Sequence, residues 1–290
     1  MISDVKNHGL DWGWHKRVGD GWRVKDVSQG GDYQRVNSLE ECQDPSVHLV
    51  KLGNDFGPNW IRHTDIPHTN WHFWDNPLVP HFLYPNPANP KGAKDWIRWV
   101  PGDILSTVDN VESGHEDRIN SLLTELAKKP MTWRDIITTH SVVDRNSRKI
   151  LLTPSSQNCY AYYYDDTREN WIIQTTKRLE SIGYTVEVWN KPARNLRVKS
   201  EPARLYNRLL QGDVRATVSQ HSAAAIESLC AGVPVITTGP HPCGALATHE
   251  LNFLASGELV TCSRDELDAW IVQLLSHVRH KSEIFSGEWR

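Results

Sequence analysis

The sequence predicts an α/β protein built from doubly wound parallel sheets, and three observations indicate this fold class. From Lys149 onward, short apolar runs rich in β-branched residues alternate with helical stretches across short connections. This is the pattern of a parallel sheet that is covered on both faces. The stretch Val214–Gly244 reads as one complete strand–helix–strand unit. The chain of 290 residues is long enough for two domains of ordinary size.

Fewer elements are predicted in the N-terminal half. Its two strands and one helix are expected at residues 47–52, 93–100 and 112–129. The polar cluster Asp144-Arg145-Asn146-Ser147-Arg148 follows them, and exposed polar linkers are typical of domain boundaries. We therefore expect an N-terminal domain at residues 1–146 and a C-terminal domain at residues 147–290.

The C-terminal half alternates regularly between strands and helices. Strands are expected at residues 150–153, 185–189, 216–218 and 233–237, and helices at residues 167–182, 201–210 and 223–231. Gly183 and Gly232 lie where a helix stop is needed, and Pro234 prevents the second helix from restarting. Ser263 and Glu266 have the spacing of a capping box, which predicts a last long helix after them.

A polar turn follows the strand at residues 216–218 and carries candidate chemistry. Ser219, His221 and Ser222 bring two hydroxyls and an imidazole to the start of a helix, where unpaired amides favour a phosphate or diphosphate. Ala223 keeps the first turn free of bulk, and Glu227 lies close enough to reach a sugar hydroxyl of a nucleotide. Alternatively, these residues form only a helix cap and a packing surface, with Glu227 solvated.

This segment resembles the donor site of nucleotide-sugar glycosyltransferases with the GT-B architecture. It is similar to the S-x-x-x-E-A-L-x-x-G-x-P-V-I signature of bacterial and phage glycan-building enzymes, with Glu227-Ser228-Leu229 in place of E-A-L. From Lys149 to Trp289, roughly half of the chain, the sequence resembles phage-borne glycosyltransferase-like proteins. The resemblance implies a GT-B-like fold: two Rossmann-like domains with a cleft between them, the C-terminal helix packing back toward the N-terminal domain.

The resemblance also implies how a donor is held. In the family, the polar turn holds the diphosphate, and a helix glutamate that matches Glu227 bonds the ribose. A basic residue before proline recurs there, which supports Lys191 as a diphosphate cation. Arg194 follows the same predicted strand, and Ser155 and Ser156 follow another as a second candidate phosphate cradle. Alternatively, the two cations are solvated loop charges.

The catalytic base is expected in the N-terminal domain, across the cleft. An acceptor hydroxyl must lose its proton to a carboxylate or an imidazole. The candidates are Asp55, His63 and Asp65, with Asp11 and Asp75 as further carboxylates. Asp55 is favoured because its turn follows a predicted strand, where ligands bind in open α/β sheets. An ordinary turn residue is the alternative.

Neither a cofactor nor a metal is expected. The sequence has no glycine-rich dinucleotide fingerprint, no P-loop and no nucleophile elbow. His68 and His72 have metal-ligand spacing for a helix, but Pro67 argues against a helix there. The resemblance implies a metal-independent enzyme whose nucleotide-sugar donor, such as a UDP-sugar, is a substrate.

The acceptor is the least determined part of the prediction. Nine of the thirteen tryptophans precede residue 140, and aromatic rings can replace the stacking that a base loses when it leaves a duplex. With the cations Arg62, Lys91, Lys94 and Arg98 they could form a local basic edge, although the net charge of −3 excludes a global basic field. The phage resemblance implies hydroxymethylated pyrimidines in DNA as acceptor.

Three alternatives remain open. The acceptor could instead be a cell-surface or capsular glycan, because tryptophan also stacks on sugar rings. The chain could be a non-catalytic nucleic-acid- or glycan-binding protein of a phage, which would not need the Glu227 carboxylate. A nucleotide-sugar epimerase would share the donor site but would need no second substrate.

The sequence predicts a cytoplasmic protein, in the host cell if it is encoded by a phage. Residues 1–30 carry charges throughout and no apolar segment of a signal peptide. No apolar run approaches the length of a membrane span, so no membrane insertion is expected. The five cysteines show no C-x-x-C pair and no disulfide framework, which favours reduced thiols.

Overall fold

The structure is a computed structural model that describes residues 5–7, 17–18, 21–22, 48–52, 71–75, 96–101, 115–135, 144–190, 205–256, 258–280 and 283. The chain divides into two compact units. The first comprises residues 1–106 and 277–290, and the second comprises residues 107–276. The sequence-derived domain boundary between residues 146 and 147 stays a prediction.

The described strands and helices are numbered here in chain order. The strands are β1 (Val5–Asn7), β2 (Arg17–Val18), β3 (Gly21–Trp22), β4 (His48–Leu52), β5 (Trp71–Asp75), β6 (Trp96–Pro101), β7 (Lys149–Leu152), β8 (Thr185–Val188), β9 (Ala216–Ser219), β10 (Val235–Thr237) and β11 (Val278–His280). The α-helices are α1 (His115–Ala127), α2 (Gln157–Tyr164), α3 (Arg168–Ser181), α4 (Leu205–Leu209), α5 (Ala224–Cys230), α6 (Phe253–Ser256) and α7 (Arg264–Ser276). Short 3₁₀ turns lie at Trp133–Asp135 and Gly244–Leu246.

The first unit contains a mixed sheet. Its strand order is β1-β4-β5-β6-β11, in which β1, β4 and β5 run parallel while β6 and β11 each run antiparallel to their neighbours. The predicted strands at 47–52 and 93–100 are confirmed as β4 and β6. A Rossmann-like doubly wound sheet was expected in this half, and the observed sheet is mixed, since β6 pairs antiparallel with both β5 and β11.

Arg98 on β6 corrects one part of the predicted basic edge. Its exposed fraction is 1%, so it cannot belong to a surface that attracts nucleic-acid phosphates. Arg62, Lys91 and Lys94, the other three cations of that edge, lie outside the described residues.

The second unit contains a four-stranded parallel sheet with the order β10-β9-β7-β8. The central strand β7 pairs with β8 on one side and with β9 on the other. All four strands were predicted, and their bounds agree to within two residues. This unit is therefore an α/β structure of the doubly wound type.

Side chains of β7 alternate between two hydrophobic cores. Ile150 and Leu152 pack with Trp171 and Leu179 of α3 on one face. Leu151 packs with residues of α4 on the other face. Because helices cover both faces, every residue of the strand interior is apolar, as expected for a buried parallel sheet.

Local signals in the sequence set the helix ends. Thr167 accepts a hydrogen bond from the Asn170 amide (3.0 Å) and caps α3. Gly232 has a φ of 75° after α5, which confirms the predicted left-handed stop. The capping box before α7 is confirmed, since the Ser263 amide donates to the Glu266 carboxylate at 2.7 Å and the Glu266 amide donates to Ser263 Oγ at 3.2 Å.

Helices α1 and α7 pack against each other in the second unit. Arg118 Nη2 donates to the Leu275 carbonyl (3.3 Å), and Ile119, Leu123 and Trp133 are fully buried beside this contact. The last helix was expected to pack toward the N-terminal domain. Its observed partner α1 lies within residues 1–146 of the predicted N-terminal domain but in the same compact unit as α7, so packing between two domains stays a prediction.

Helix α2 was not predicted, because no element was expected between the strand at residues 150–153 and the helix at residues 167–182. Three consecutive tyrosines have only moderate helix propensity, and Pro154 suggests a turn. The helix nevertheless ends at a clear signal, because Asp165 adopts a left-handed conformation with a φ of 49°.

No helix among the described residues is long and apolar enough to cross a membrane.

An ion cluster joins α4 to the amino edge of the parallel sheet. Arg208 donates to Asp213 (2.6 Å) and to Glu187 on β8 (2.7 Å), and Lys149 on β7 also pairs with Asp213. Hydrogen bonds from Arg208, opposed by burial and reinforced by Lys149, lower the pKa of Asp213 to about 2.

Asp213→Asn should lower the free energy of unfolding at pH 7, by up to about 1 kcal/mol because the pair is partly exposed. A carboxylate with a lowered pKa stabilises the fold above its unfolded-state pKa of about 3.9, and this contribution fades as pH falls toward 2. The difference between the variant and the wild type should therefore shrink below about pH 4 in urea unfolding. Glu250→Gln, at an exposed position, is the control. A difference that is constant from pH 7 to pH 3 would contradict the role of the charged Asp213.

Candidate functional site

The order of the strands creates a topological switch point between β7 and β9. After β7 the chain proceeds to β8 on one side, and then it returns to form β9 on the other side. The loop at residues 153–156 follows the carboxyl end of β7, and the loop at residues 219–224 follows the carboxyl end of β9. These two strand ends are neighbours in the sheet, and the chain leaves them in opposite directions. Ligands of open α/β sheets bind in the crevice at such a point. This makes the two loops the candidate site of the second unit.

The two loops contact each other directly. The His221 amide donates a hydrogen bond to Ser155 Oγ at 3.3 Å, and Ser219 Oγ donates to the Thr153 carbonyl at 3.4 Å. The sequence suggested the two loops as alternative phosphate cradles. The structure instead brings Ser155 and His221 together, so the loops form one site.

The turn at residues 219–224 is largely bonded to itself. Ser219 Oγ accepts from the Ser222 amide (3.2 Å), and Ser222 Oγ accepts from the Ala224 amide (3.3 Å). Ser219 is fully buried. Helix α5 has only seven residues, and Ala223 caps it without a side-chain bond. Most amides of this turn are therefore engaged by the protein, and the hydroxyl of Ser222 is the group best suited to meet a ligand.

The hydrogen-bonding groups at the start of α2 are less engaged by the protein than those of the turn at residues 219–224. Ser156 is exposed and is the N-cap residue, but its side chain does not bond a helix amide. Within residues 144–190 and the other described ranges, no hydrogen bond is recorded for Ser156 Oγ or for the Gln157 amide. An anion is favoured at such a helix start, because the amides point outward and the dipole is positive there.

An aromatic cluster of Tyr163, Tyr164 and His221 lies at the edge of the site. The Tyr164 and His221 rings stack with centroids 5.2 Å apart, and the Tyr163 ring lies 4.9 Å from the His221 ring. Burial raises the pKa of Tyr164 to about 12, so the phenol is protonated at neutral pH. This cluster was not predicted because α2, which carries both tyrosines, was not predicted.

Hydrogen bonds fix the tautomer of His221. Its Nδ1 lies 2.7 Å from the Pro240 carbonyl, which can only accept, so Nδ1 carries the hydrogen. Nε2 of the neutral ring is then an acceptor, and it contacts the Tyr164 hydroxyl. The tyrosine therefore donates to the histidine.

Gly239 is required for this arrangement. A Cβ atom at this position would lie 2.3 Å from the Tyr164 hydroxyl and 3.2 Å from both Gln220 Cγ and His221 Cε1. A larger residue at position 239 would therefore force the Tyr164 side chain or the loop after β10 to shift.

Gln220 places a buried acceptor among these residues. Its exposed fraction is 5%; the side chain hydrogen-bonds the Tyr164 hydroxyl, whereas Oε1 has no hydrogen-bond partner among the residues that the structure describes. An unpaired buried polar group costs about 1–3 kcal/mol. A donor group on a bound ligand could satisfy it, which is consistent with a binding site here.

The remaining predicted site residues are only partly placed. Glu227 is half-buried in the first turn of α5. Lys191 and Arg194 lie outside the described residues, although Asn190, the residue before Lys191, follows the end of β8.

The predicted bases Asp55, His63 and Asp65 also lie outside the described residues. Asp75 ends β5, parallel to β4, so it lies at the sheet edge where the segment leading to Asp55 begins.

His241 and Cys243 resemble a nucleophile–base pair but have a structural role. Their Nδ1 and Sγ atoms are 2.8 Å apart, yet both side chains are buried. The Cys243 amide donates to Nδ1 at 3.1 Å, so Nε2 carries the hydrogen and donates to the Ser222 carbonyl at 3.0 Å. Burial raises the pKa of the Cys243 thiol to about 12. The pair therefore anchors the loop at residue 222.

Among the described residues, no group of three or more His, Cys, Asp or Glu side chains could hold a metal.

No protein-family model and no curated protein matches the chain. Among solved structures, the chain is similar to KpsC of Thermosulfurimonas dismutans, a beta Kdo 2,7 transferase. The match covers 87% of this chain and 84% of that chain, with 12% sequence identity and a TM-score of 0.43. The likeness is distant.

Gly239→Ala should destabilise the protein by about 1–3 kcal/mol, because the added methyl group overpacks the cluster. In a Tyr164→Phe background the same substitution should cost less, since the atom it meets at 2.3 Å is absent. Urea unfolding of the four proteins in this double-mutant cycle measures the coupling. Equal costs in both backgrounds would show that Gly239 and Tyr164 do not constrain each other.

Proposed function

We propose that the protein transfers a sugar from a nucleotide-sugar donor to an acceptor hydroxyl. The observation that carries this proposal is the contact between Ser155 and His221 at the switch point. It brings two hydroxyl-bearing loops together where open parallel sheets bind nucleotides. The resemblance of residues 219–236 to the donor site of GT-B glycosyltransferases supports the same function.

The diphosphate of the donor is assigned to the start of α2. The Gln157 amide and the Ser156 hydroxyl can donate to phosphate oxygens, and Ser222 can donate from the neighbouring loop. Lys191 and Arg194 follow β8, which is the other neighbour of β7. In the proposal they neutralise the charge that develops on the departing diphosphate.

The sugar transfer itself requires one bond to form and one to break. The acceptor oxygen bonds to the anomeric carbon, and the bond from that carbon to the diphosphate oxygen breaks with its electrons. The acceptor proton moves to a carboxylate or imidazole, for which Asp55, His63 and Asp65 are the proposed candidates. The nucleotide sugar, such as a UDP-sugar, is a substrate, and the proposal includes no resident cofactor or metal.

For the acceptor, we propose a hydroxymethylated pyrimidine in DNA, with a saccharide as the alternative. The proposal follows the phage resemblance and the tryptophan-rich first half of the sequence. The burial of Arg98 removes one cation from the surface that would meet DNA. The reaction is placed in the cytoplasm, and in the host cell if a phage encodes the enzyme.

Glu227→Ala should weaken nucleotide binding by about 1.5–3 kcal/mol, the scale of a hydrogen bond to a charged group. The physical reason is the loss of the carboxylate that accepts from the ribose hydroxyls. Titration of the nucleotide-sugar donor that stabilises the wild type most in a thermal-shift panel measures the effect. Glu180→Ala, on the exposed side of α3, is the matched control. An unchanged affinity in Glu227→Ala would rule out the ribose contact.

Transfer of labelled sugar to hydroxymethylpyrimidine DNA should be detected, with unmodified DNA giving no product. The measurement uses the donor found in the panel and follows label in the polymer. Label in a saccharide alone would replace the DNA acceptor and leave the transferase proposal intact. Donor binding without any transfer would favour a binding protein, and conversion of the donor sugar without acceptor would favour an epimerase.

A further inference from the structure

A buried glutamine follows the carboxyl end of β9 at the switch point. The Gln220 side chain hydrogen-bonds the Tyr164 hydroxyl. Nε2 is the amide atom in this bond, because Oε1 has no hydrogen-bond partner among the described residues. Gln220 is 5% exposed, whereas Tyr164 is 37% exposed. The tyrosine is therefore the outer member of the pair, and a ligand in the crevice meets it first.

A chain of hydrogen bonds holds the glutamine amide in one orientation. The Pro240 carbonyl accepts from His221 Nδ1 at 2.7 Å, and His221 Nε2 accepts from the Tyr164 hydroxyl. The hydroxyl has then used its hydrogen, so its oxygen is an acceptor for Gln220 Nε2. The amide oxygen is left in a buried position without a donor.

Packing alone does not account for a polar atom at this position. A methionine at residue 220 would have a similar shape and would bury no unpaired amide oxygen, which is the costly feature of the native side chain. Departures of this kind from the ordinary rules of packing are typical of functional sites. The glutamine therefore suits the complex with a ligand better than it suits the free protein.

A primary amide is complementary to an N–H group that stands beside a carbonyl. The amide oxygen accepts from the N–H, and the amide nitrogen donates to the carbonyl. Glutamine side chains pair in this bidentate way with base edges of nucleic acids. Uracil, the base of the UDP-sugar donor proposed above, carries such an edge at N3 and O4.

The surroundings of Gln220 also suit a planar base. The rings of Tyr163, Tyr164 and His221 lie together beside it, and aromatic rings stack on nucleobases. Tyr164 ends α2, and the start of this helix at Gln157 is assigned to the diphosphate. These two residues are about 10 Å apart along the helix axis, a span that a nucleoside diphosphate can cover.

We propose that Gln220 binds the uracil edge of the donor, with Oε1 accepting from N3–H and Nε2 donating to O4. Tyr164 is the gate to this position. Its hydroxyl occupies Nε2 in the free protein, and it moves aside when the base enters. This inference rests on the proposed nucleotide-sugar donor and adds the group that recognises its base.

The test measures the affinities of UDP and of N3-methyl-UDP by isothermal titration calorimetry. The wild type should bind N3-methyl-UDP at least about tenfold more weakly, because the methyl group replaces the hydrogen that Oε1 accepts. Gln220→Met should weaken UDP binding by about tenfold or more and should not weaken N3-methyl-UDP binding further. Gln174→Met, which replaces an exposed glutamine on α3, should leave both affinities unchanged.

Tyr164→Phe should change the affinity in the opposite direction. Phenylalanine keeps the ring but lacks the hydroxyl that holds the gate closed, so UDP should bind about threefold more tightly or better. Because residue 164 is partly exposed, this variant is expected to fold even if the substitution at the buried residue 220 is not tolerated. A purely structural role of the pair would weaken UDP binding in both variants.

The base contact is overturned if Gln220→Met binds UDP as the wild type does, or if the wild type binds UDP and N3-methyl-UDP equally. Weaker UDP binding by Tyr164→Phe would overturn the gate. A loss in Gln220→Met that is confined to UDP-glucose would assign the glutamine to the sugar instead. No binding of UDP at all would also overturn the proposal. Stabilisation by another nucleotide sugar in the thermal-shift panel would in that case leave the transferase function standing.

Discussion

The pairing of one strand on both of its edges organises the second unit. β7 bonds to β8 and to β9, so its backbone groups are satisfied on both sides without water. Its side chains meanwhile supply both hydrophobic cores, with Ile150 on one face and Leu151 on the other. Because the chain leaves β7 toward β8 and leaves β9 toward β10, the loops after β7 and β9 run on in opposite directions from their contact and leave a crevice at the switch point. The candidate site is thus a consequence of strand order.

The parts of the fold that sequence could predict are those whose signals are local. The strand at Val235–Thr237 follows a glycine that stops a helix and a proline that prevents its return, and both act within a few residues. The sequence around β11 contains no local signal of this kind. It has three residues, and it forms because Val278 pairs opposite Arg98 far earlier in the chain. Long-range pairing of this kind depends on tertiary contacts that no local pattern records.

The candidate site was predictable in its residue types but not in its hydrogen bonding. Ser219 and Ser222 were expected to face a ligand with their amides. In the structure, Ser219 is buried and its hydroxyl is used within the turn. The start of α2 is more open, yet its tyrosine-rich sequence did not indicate a helix. The same limit applies to Arg98, because the sequence does not show whether an arginine among aromatic residues lies outside or inside.

The carbonyl of Pro240 sets the direction of the hydrogen bonds at the edge of the site. It orients the His221 ring so that a relay of hydrogen bonds runs from the Tyr164 hydroxyl through the ring to the peptide oxygen. In this state the phenol has no hydrogen left for solvent and presents only lone pairs. If the imidazole gains a proton, Nε2 becomes a donor and the phenol must turn its hydrogen outward. Because the Pro240 carbonyl keeps the hydrogen on Nδ1, the neutral ring makes this part of the crevice attract hydrogen-bond donors, and a protonated ring would make it attract acceptors.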